Sequence, residues 1–134
     1  MADEIMRVFI IDSNIAWRDA IDTLLDLQPD MEVIGKCANN PEAISRLRAC
    51  KPDVLLIGIY GSADDVRDFV IGLRRDLPDM AIVIHGQVRE SVMAGLLAAG
   101  ASCYLPRGSS PRVILQTIRD ARYQLDVRSD IIAT

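Results

Sequence analysis

The sequence predicts a doubly wound α/β domain, and three observations carry that reading. Short, almost wholly apolar runs alternate with stretches whose apolar residues recur at helical spacing, the pattern of βα units around a parallel sheet. The chain has 134 residues, the size of one ordinary domain. Half of those residues are apolar and a quarter are charged, enough for one core beneath a polar surface.

Taken in order, Arg7 to Asp12 reads as a first strand, nearly continuous in apolar residues as a strand covered on both faces should be. A helix follows with Trp17, Ala20, Ile21, Leu24 and Leu25 expected on one buried stripe. Pro29-Asp30 stops it, and Met31 to Gly35 reads as a second strand of edge character. Asn40 caps a second helix with Pro41 in its first turn and Ala43, Ile44 and Leu47 inside. Val54 to Ile59 is the most apolar stretch and is placed at the centre of the sheet. A loop from Tyr60 to Ala63 leads to a helix carrying Val66, Val70, Leu73 and Leu77, which Pro78 terminates. Ala81 to His85 is the fourth strand, Ser91 to Ala99 a helix closed by Gly100, and Ser102 to Leu105 a short fifth strand. Ser110-Pro111 opens the last helix, with Ile114, Ile118, Ala121 and Leu125 facing inward. Residues 1–126 are read as one domain, and 127–134 as a tail or the start of a linker.

Composition excludes several classes. Net charge is −4, so the domain offers no general attraction to DNA or anionic membranes. No apolar run reaches the roughly 20 residues needed to span a bilayer, and Met1 to Met6 lacks the layout of a secretory signal, so a cytoplasmic location is expected. Cys37, Cys50 and Cys103 are odd in number, spread apart and not grouped with the lone His85. That distribution fits reduced core thiols better than a disulfide framework or a metal site.

In an open parallel sheet the ligand site lies beyond the carboxyl ends of the strands. The residues to inspect are therefore Asp12 and Ser13 after the first strand, Gly58 in the third, His85 ending the fourth and Arg107 past the fifth. With Arg7 to Asp12, Lys51-Pro52-Asp53-Val54-Leu55-Leu56 and Ala98-Ala99-Gly100-Ala101-Ser102-Cys103-Tyr104-Leu105, the chain resembles a response-regulator receiver domain of the NarL/LuxR type over about residues 6 to 126. The last of these stretches is the most specific. The resemblance implies a flavodoxin-like, CheY-like fold with five parallel strands in order 2-1-3-4-5 and five helices.

Receivers of this family carry two adjacent acids after the first strand, a phosphoacceptor Asp in the third, a Ser or Thr ending the fourth and a Lys after the fifth. Here Asp12 keeps the first acid, while Ser13, Gly58, His85 and Arg107 stand at the other four places, and Tyr104 keeps the switch aromatic. Phosphoryl transfer needs a carboxylate nucleophile, and Gly58 supplies none. Mg²⁺ is held by clustered carboxylates, of which one remains, so Mg²⁺ is expected not to bind. Asp12 and Arg107 are expected in one pocket, and His85 is expected to be a hydrogen-bonded structural side chain. Tyr104 is expected half-buried beside the fourth strand, its rotamer fixed by the larger ring of His85. Asp64 and Asp65 suggest themselves as substitute acceptors, but acids at a helix start are accounted for by the macrodipole.

The leading expectation is a non-enzymatic, phosphorylation-independent receiver domain of a two-component-type transcription regulator, acting as a regulatory or dimerisation module. Segment Ser91 to Tyr123 resembles the face that receivers use for dimerisation, with Arg112, Arg119 and Arg122 as the candidate dimer face. DNA would be met only through an output domain outside these residues, and the chain is either a fragment of such a regulator or a free-standing adaptor. A second hypothesis is a small-molecule sensor in which Asp12, Ser13, His85 and Arg107 hold an anion or metabolite in room left by Gly58. An enzyme on this scaffold is weakest, since neither a Gly-rich phosphate loop nor a nucleophile with its base is present.

Overall fold

The computed structural model describes residues 4–59 and 64–133, and their side chains except at 64–65 and 126–133. Five strands and five helices alternate: β1 (Met6–Ile11), α1 (Ile15–Asp26), β2 (Met31–Cys37), α2 (Pro41–Cys50), β3 (Val54–Ile59), α3 (Asp64–Asp76), β4 (Ala81–Gly86), α4 (Glu90–Ala99), β5 (Cys103–Pro106) and α5 (Pro111–Ala133). The strands form one parallel sheet in the order β2-β1-β3-β4-β5, as the resemblance implies, with β3 at its centre.

Alternation along each strand sorts the side chains onto two faces. Phe9, Ile11, Leu55, Ile57, Ile82 and Ile84 pack under α2, α3 and α4 with Leu47, Val70 and Leu96. Val8, Ile10, Val54, Leu56, Ala81 and Val83 face α1 and α5, meeting Ile21, Leu25, Ile114, Ile118 and Ala121. β3 and β4 are buried along their full length, which explains their unbroken apolar character.

The helix ends follow local chemistry. The Asn14 side chain accepts from the Trp17 N–H at 3.1 Å, and that of Asn40 from the Ala43 N–H at 3.2 Å. α4 closes in a Schellman motif: the Ala101 N–H reaches the Leu96 carbonyl and the Gly100 N–H that of Leu97, with Gly100 at φ 125°.

The structure corrects several details. Ala20 is exposed, because the buried side of α1 runs through Ile21 and Leu25, with Trp17 half-buried at its rim. β2 continues to Cys37, two residues past the expected end, since its pairing with β1 persists to Ile11. α5 runs unbroken to Ala133, past Leu125, the last inward-facing residue expected of that helix. The Tyr60 to Ala63 loop and the Asp64 and Asp65 side chains lie outside the described residues.

Candidate functional site

Register brings three of the inspected residues together. Gly58 pairs with His85, and Ile11 on β1 pairs with Ile57 on β3, so Asp12 follows beside Gly58 at the carboxyl edge. By strand alternation Asp12, Gly58 and His85 all face α1 and α5, continuing the rows through Ile10, Leu56 and Val83. Asp12 is fully buried and His85 nearly so.

The Asp12 carboxylate lies over Gly58. A Cβ built on Gly58 would overlap Asp12 Oδ2 and Cγ, so the carboxylate occupies the space that any side chain at 58 would need. Asp12 Oδ1 accepts the Asn14 N–H at 2.8 Å, and Oδ2 faces His85 Nδ1 at 3.7 Å. The Asp12 carbonyl is held in turn by Arg18 Nη1 at 3.0 Å. The His85 imidazole stacks on the Trp17 indole, with centroids 3.8 Å apart and planes 12° from parallel. These contacts amend two expectations. Gly58 leaves no room for a ligand, because Asp12 has taken it. His85, expected to be held by hydrogen bonds, stacks on Trp17, and among the described residues its Nδ1 has no hydrogen-bond partner.

Beside this arrangement opens a cavity of about 410 Å³ lined by Asn14, Trp17, His85, Arg107, Gly108, Ser109 and Ile114. Arg107 lines this cavity, but without Asp12, the residue expected to share one pocket with it. Asp12 is not among the lining residues, and Ser13 is exposed on the β1–α1 turn.

Tyr104 is half-buried as expected, but a different group holds it. It packs on the α4 side of the sheet, the face opposite His85, and its hydroxyl donates to the Gly86 carbonyl at 2.6 Å. The same carbonyl accepts the Arg107 N–H at 3.0 Å, so Gly86 ties Tyr104 to the β5–α5 turn. Sequence reasoning overlooked Gly86. Its signal is its residue type: at φ 148° it lies close against the Ile59 carbonyl, where a Cβ would clash.

Two of the three candidate dimer-face arginines are engaged within the chain. Arg119 grips Asp30 by two bonds of 2.8 Å, holding that carboxyl below its usual range, while the Asp30 carboxylate pushes Arg119 further up. Arg122 donates to the Asp79 carbonyl at 3.0 Å and approaches Asp53 at 3.8 Å. Arg112 is exposed at the start of α5. The three cysteines are free and half-buried, and burial pushes the Cys103 thiol up to about 11, so it stays protonated at neutral pH.

No family model matches the chain. Among curated proteins it is similar to the response regulator protein VraR of Staphylococcus aureus, 25% identical over 115 residues that make up 85% of this chain and 55% of VraR. The chain thus spans about half the length of the curated relatives it matches. Among solved structures, the signal receiver domain of NarL from Mycobacterium tuberculosis superposes with a TM-score of 0.79 at 22% identity, covering 90% of this chain and 98% of that one. A LuxR-family two-component response regulator from Aurantimonas sp. SI85-9A1 gives 0.80 at 21%, covering 90% and 87%. The fold is that of CheY-like response-regulator receiver domains, and the chain's neighbours include regulators of the NarL/LuxR type. Among the described residues, no helix is long and apolar enough to cross a membrane.

Proposed function

We propose that this chain is a phosphorylation-independent receiver module of a two-component-type transcription regulator, working through contacts with protein partners or a second copy rather than as an enzyme. The observation that carries the reading is the Asp12 carboxylate lying over Gly58 beneath the stacked His85 and Trp17 rings. A receiver's aspartyl phosphate forms on a carboxylate at position 58, and here that position has hydrogen for a side chain.

The Mg²⁺ that accompanies such chemistry does not fit these residues. Asp12 is the one carboxylate among the five pocket positions, it is fully buried, and one of its oxygens already accepts a backbone N–H. A divalent ion prefers several oxygen ligands with water in the remaining places. Self-association is favoured by Leu97 on α4 and Val113 on α5, apolar side chains exposed within segment Ser91 to Tyr123. Contact with DNA would belong to an output domain outside these residues.

Intact mass after incubation with acetyl phosphate and Mg²⁺ tests the first half of the reading, and an unshifted mass is expected. A stable phospho-adduct would overturn it. Solution mass with and without beryllofluoride tests the second half. The expected result is a concentration-dependent dimer indifferent to the mimic, and a dimer that forms only with the mimic would sink it.

A further inference from the structure

His85 stands between an aromatic face and a carboxylate, two groups that both favour a positively charged imidazole. The Trp17 indole stacks on its ring, and an indole face attracts a cation. Its Nδ1 faces Asp12 Oδ2 at 3.7 Å, with His85 3% exposed and Asp12 fully buried. Asp12 reaches this position across β3, which lies between β1 and β4, because Gly58 has no side chain to stop it. The 3.7 Å separation is too long for a hydrogen bond, and among the described residues Nδ1 has no hydrogen-bond partner. A neutral imidazole carries a single N–H on one nitrogen or the other, whereas the protonated ring carries both. Protonation therefore sets an N–H on Nδ1 toward a carboxylate oxygen. A charge-assisted bond of this kind closes to about 2.7–2.9 Å, an approach of roughly 1 Å.

We propose that His85 and Asp12 form a proton-operated latch: as the medium acidifies, the protonated imidazole bonds the Asp12 carboxylate and ties the carboxyl ends of β1 and β4 together across β3. When the proton leaves, the Trp17 stack alone holds the ring. Histidine suits such a device because its charge ordinarily changes between about pH 5 and 8. The cavity that His85 lines gives the buried ring a path to solvent protons. Each neighbouring element contributes a definite charge or none. From β1 comes Asp12, and from α1 come the neutral Trp17 and Arg18, whose Nη1 is bound to the Asp12 carbonyl at 3.0 Å. β3 offers Gly58 and α5 the apolar Ile114. The β5–α5 turn brings Arg107 to the same cavity, exposed, so that water and salt screen its charge. The latch bond exists only for the charged ring, so the stability it adds is present at the acid end of the range and lost as pH rises.

The chain has one histidine and one tryptophan, and the two are stacked, so Trp17 emission reads the charge on this imidazole directly. The test is a titration of this chain between about pH 5 and 8, followed by Trp17 emission and by thermal denaturation at each pH. Emission is expected to change in a single-proton step that His85→Gln abolishes. The stability of the parent relative to His85→Gln should rise toward the acid end. Asp12→Asn keeps the shape of the side chain without its charge, and should move the step to lower pH. A flat emission in the parent, or a step that survives in His85→Gln, would overturn the proposal. So would a step at the same pH in Asp12→Asn, since His85 would then titrate without the latch. Should Asp12→Asn fail to fold, the parent and His85→Gln still decide: a stability difference that is constant with pH, or that grows toward alkali, rules the latch out. Failure here leaves the phosphorylation-independent reading standing, because intact mass decides that separately.

Discussion

The imidazole of His85 lies flat on the indole of Trp17, 3.8 Å between centroids, and joins the carboxyl end of β4 to the first turn of α1. A stacked pair of this kind contributes about 0.5 to 1.5 kcal/mol beyond the area it buries. His85→Ala is therefore expected to cost about 2 kcal/mol in urea denaturation, stacking and lost packing together. Trp17 emission should shift to the red as the indole gains water. Unchanged emission and stability would mean that the stack does not form in solution.

Restoring an acid at position 58 should damage this domain rather than revive it. A side chain there collides with Asp12, and a carboxylate would add like charge where Asp12 is already fully buried. Gly58→Asp is expected to lose about 3 kcal/mol or more, the scale set by an uncompensated buried charge. Gly58→Ala should destabilise less, and pairing it with Asp12→Ala should recover much of that loss, giving a clear coupling energy between the two sites. Additive effects in that cycle would refute the close contact.

Arg74 clasps three parts of the chain at once. Its Nε and Nη2 donate to the Gly100 carbonyl at 3.0 and 2.8 Å, and its Nη1 to the carbonyls of Pro78 at 3.0 Å and Met80 at 2.6 Å. The contact requires glycine at 100, where a Cβ would strike the Arg74 stem. Arg74→Ala leaves these carbonyls to find water or go unpaired, at an expected cost of about 2 to 3 kcal/mol. Thermal denaturation checks this, and a loss below about half of that would show that water replaces the guanidinium.

The Asp30–Arg119 pair should contribute stability with a defined pH dependence. Because Arg119 holds the folded carboxyl below its ordinary value, the contribution is complete above the unfolded carboxylate value of about 4 and disappears as pH falls through the lower folded value. Both side chains keep a third or more of their exposure, 34% and 43%, so the pair should be worth under about 1 kcal/mol and weaken in salt. Asp30→Asn should therefore be less stable than the parent at neutral pH and match it once the pH is low enough to protonate Asp30 in the folded chain. A difference that persists in acid would assign the effect to packing instead.

Much of the architecture was legible in the residues. β3 and β4 read as central because they are apolar without interruption, and the structure buries every residue of both. Asn40, Pro41 and Gly100 punctuated the helices where they do because capping depends on a few neighbouring atoms. Ala20 misled, since a small apolar residue has little to gain from burial and tolerates either side of a helix. Arg74 gave no comparable signal, and Gly86 gave only its residue type. Arg74 reaches a carbonyl 26 residues away and Gly86 receives a hydroxyl from 18 residues away, distances over which local patterning carries no information.

At the site, the amino-acid sequence alone determined which groups are present: one carboxylate at 12, no side chain at 58, an imidazole at 85 and a guanidinium at 107. The tertiary structure decided what became of them. Parallel register sets Asp12 beside Gly58 on one face of the sheet, and because glycine has no Cβ the carboxylate settles into that space. His85 is thereby left to stack on a helix that only folding brings near, with the cavity opening on the side of α1 and α5 instead of over β3.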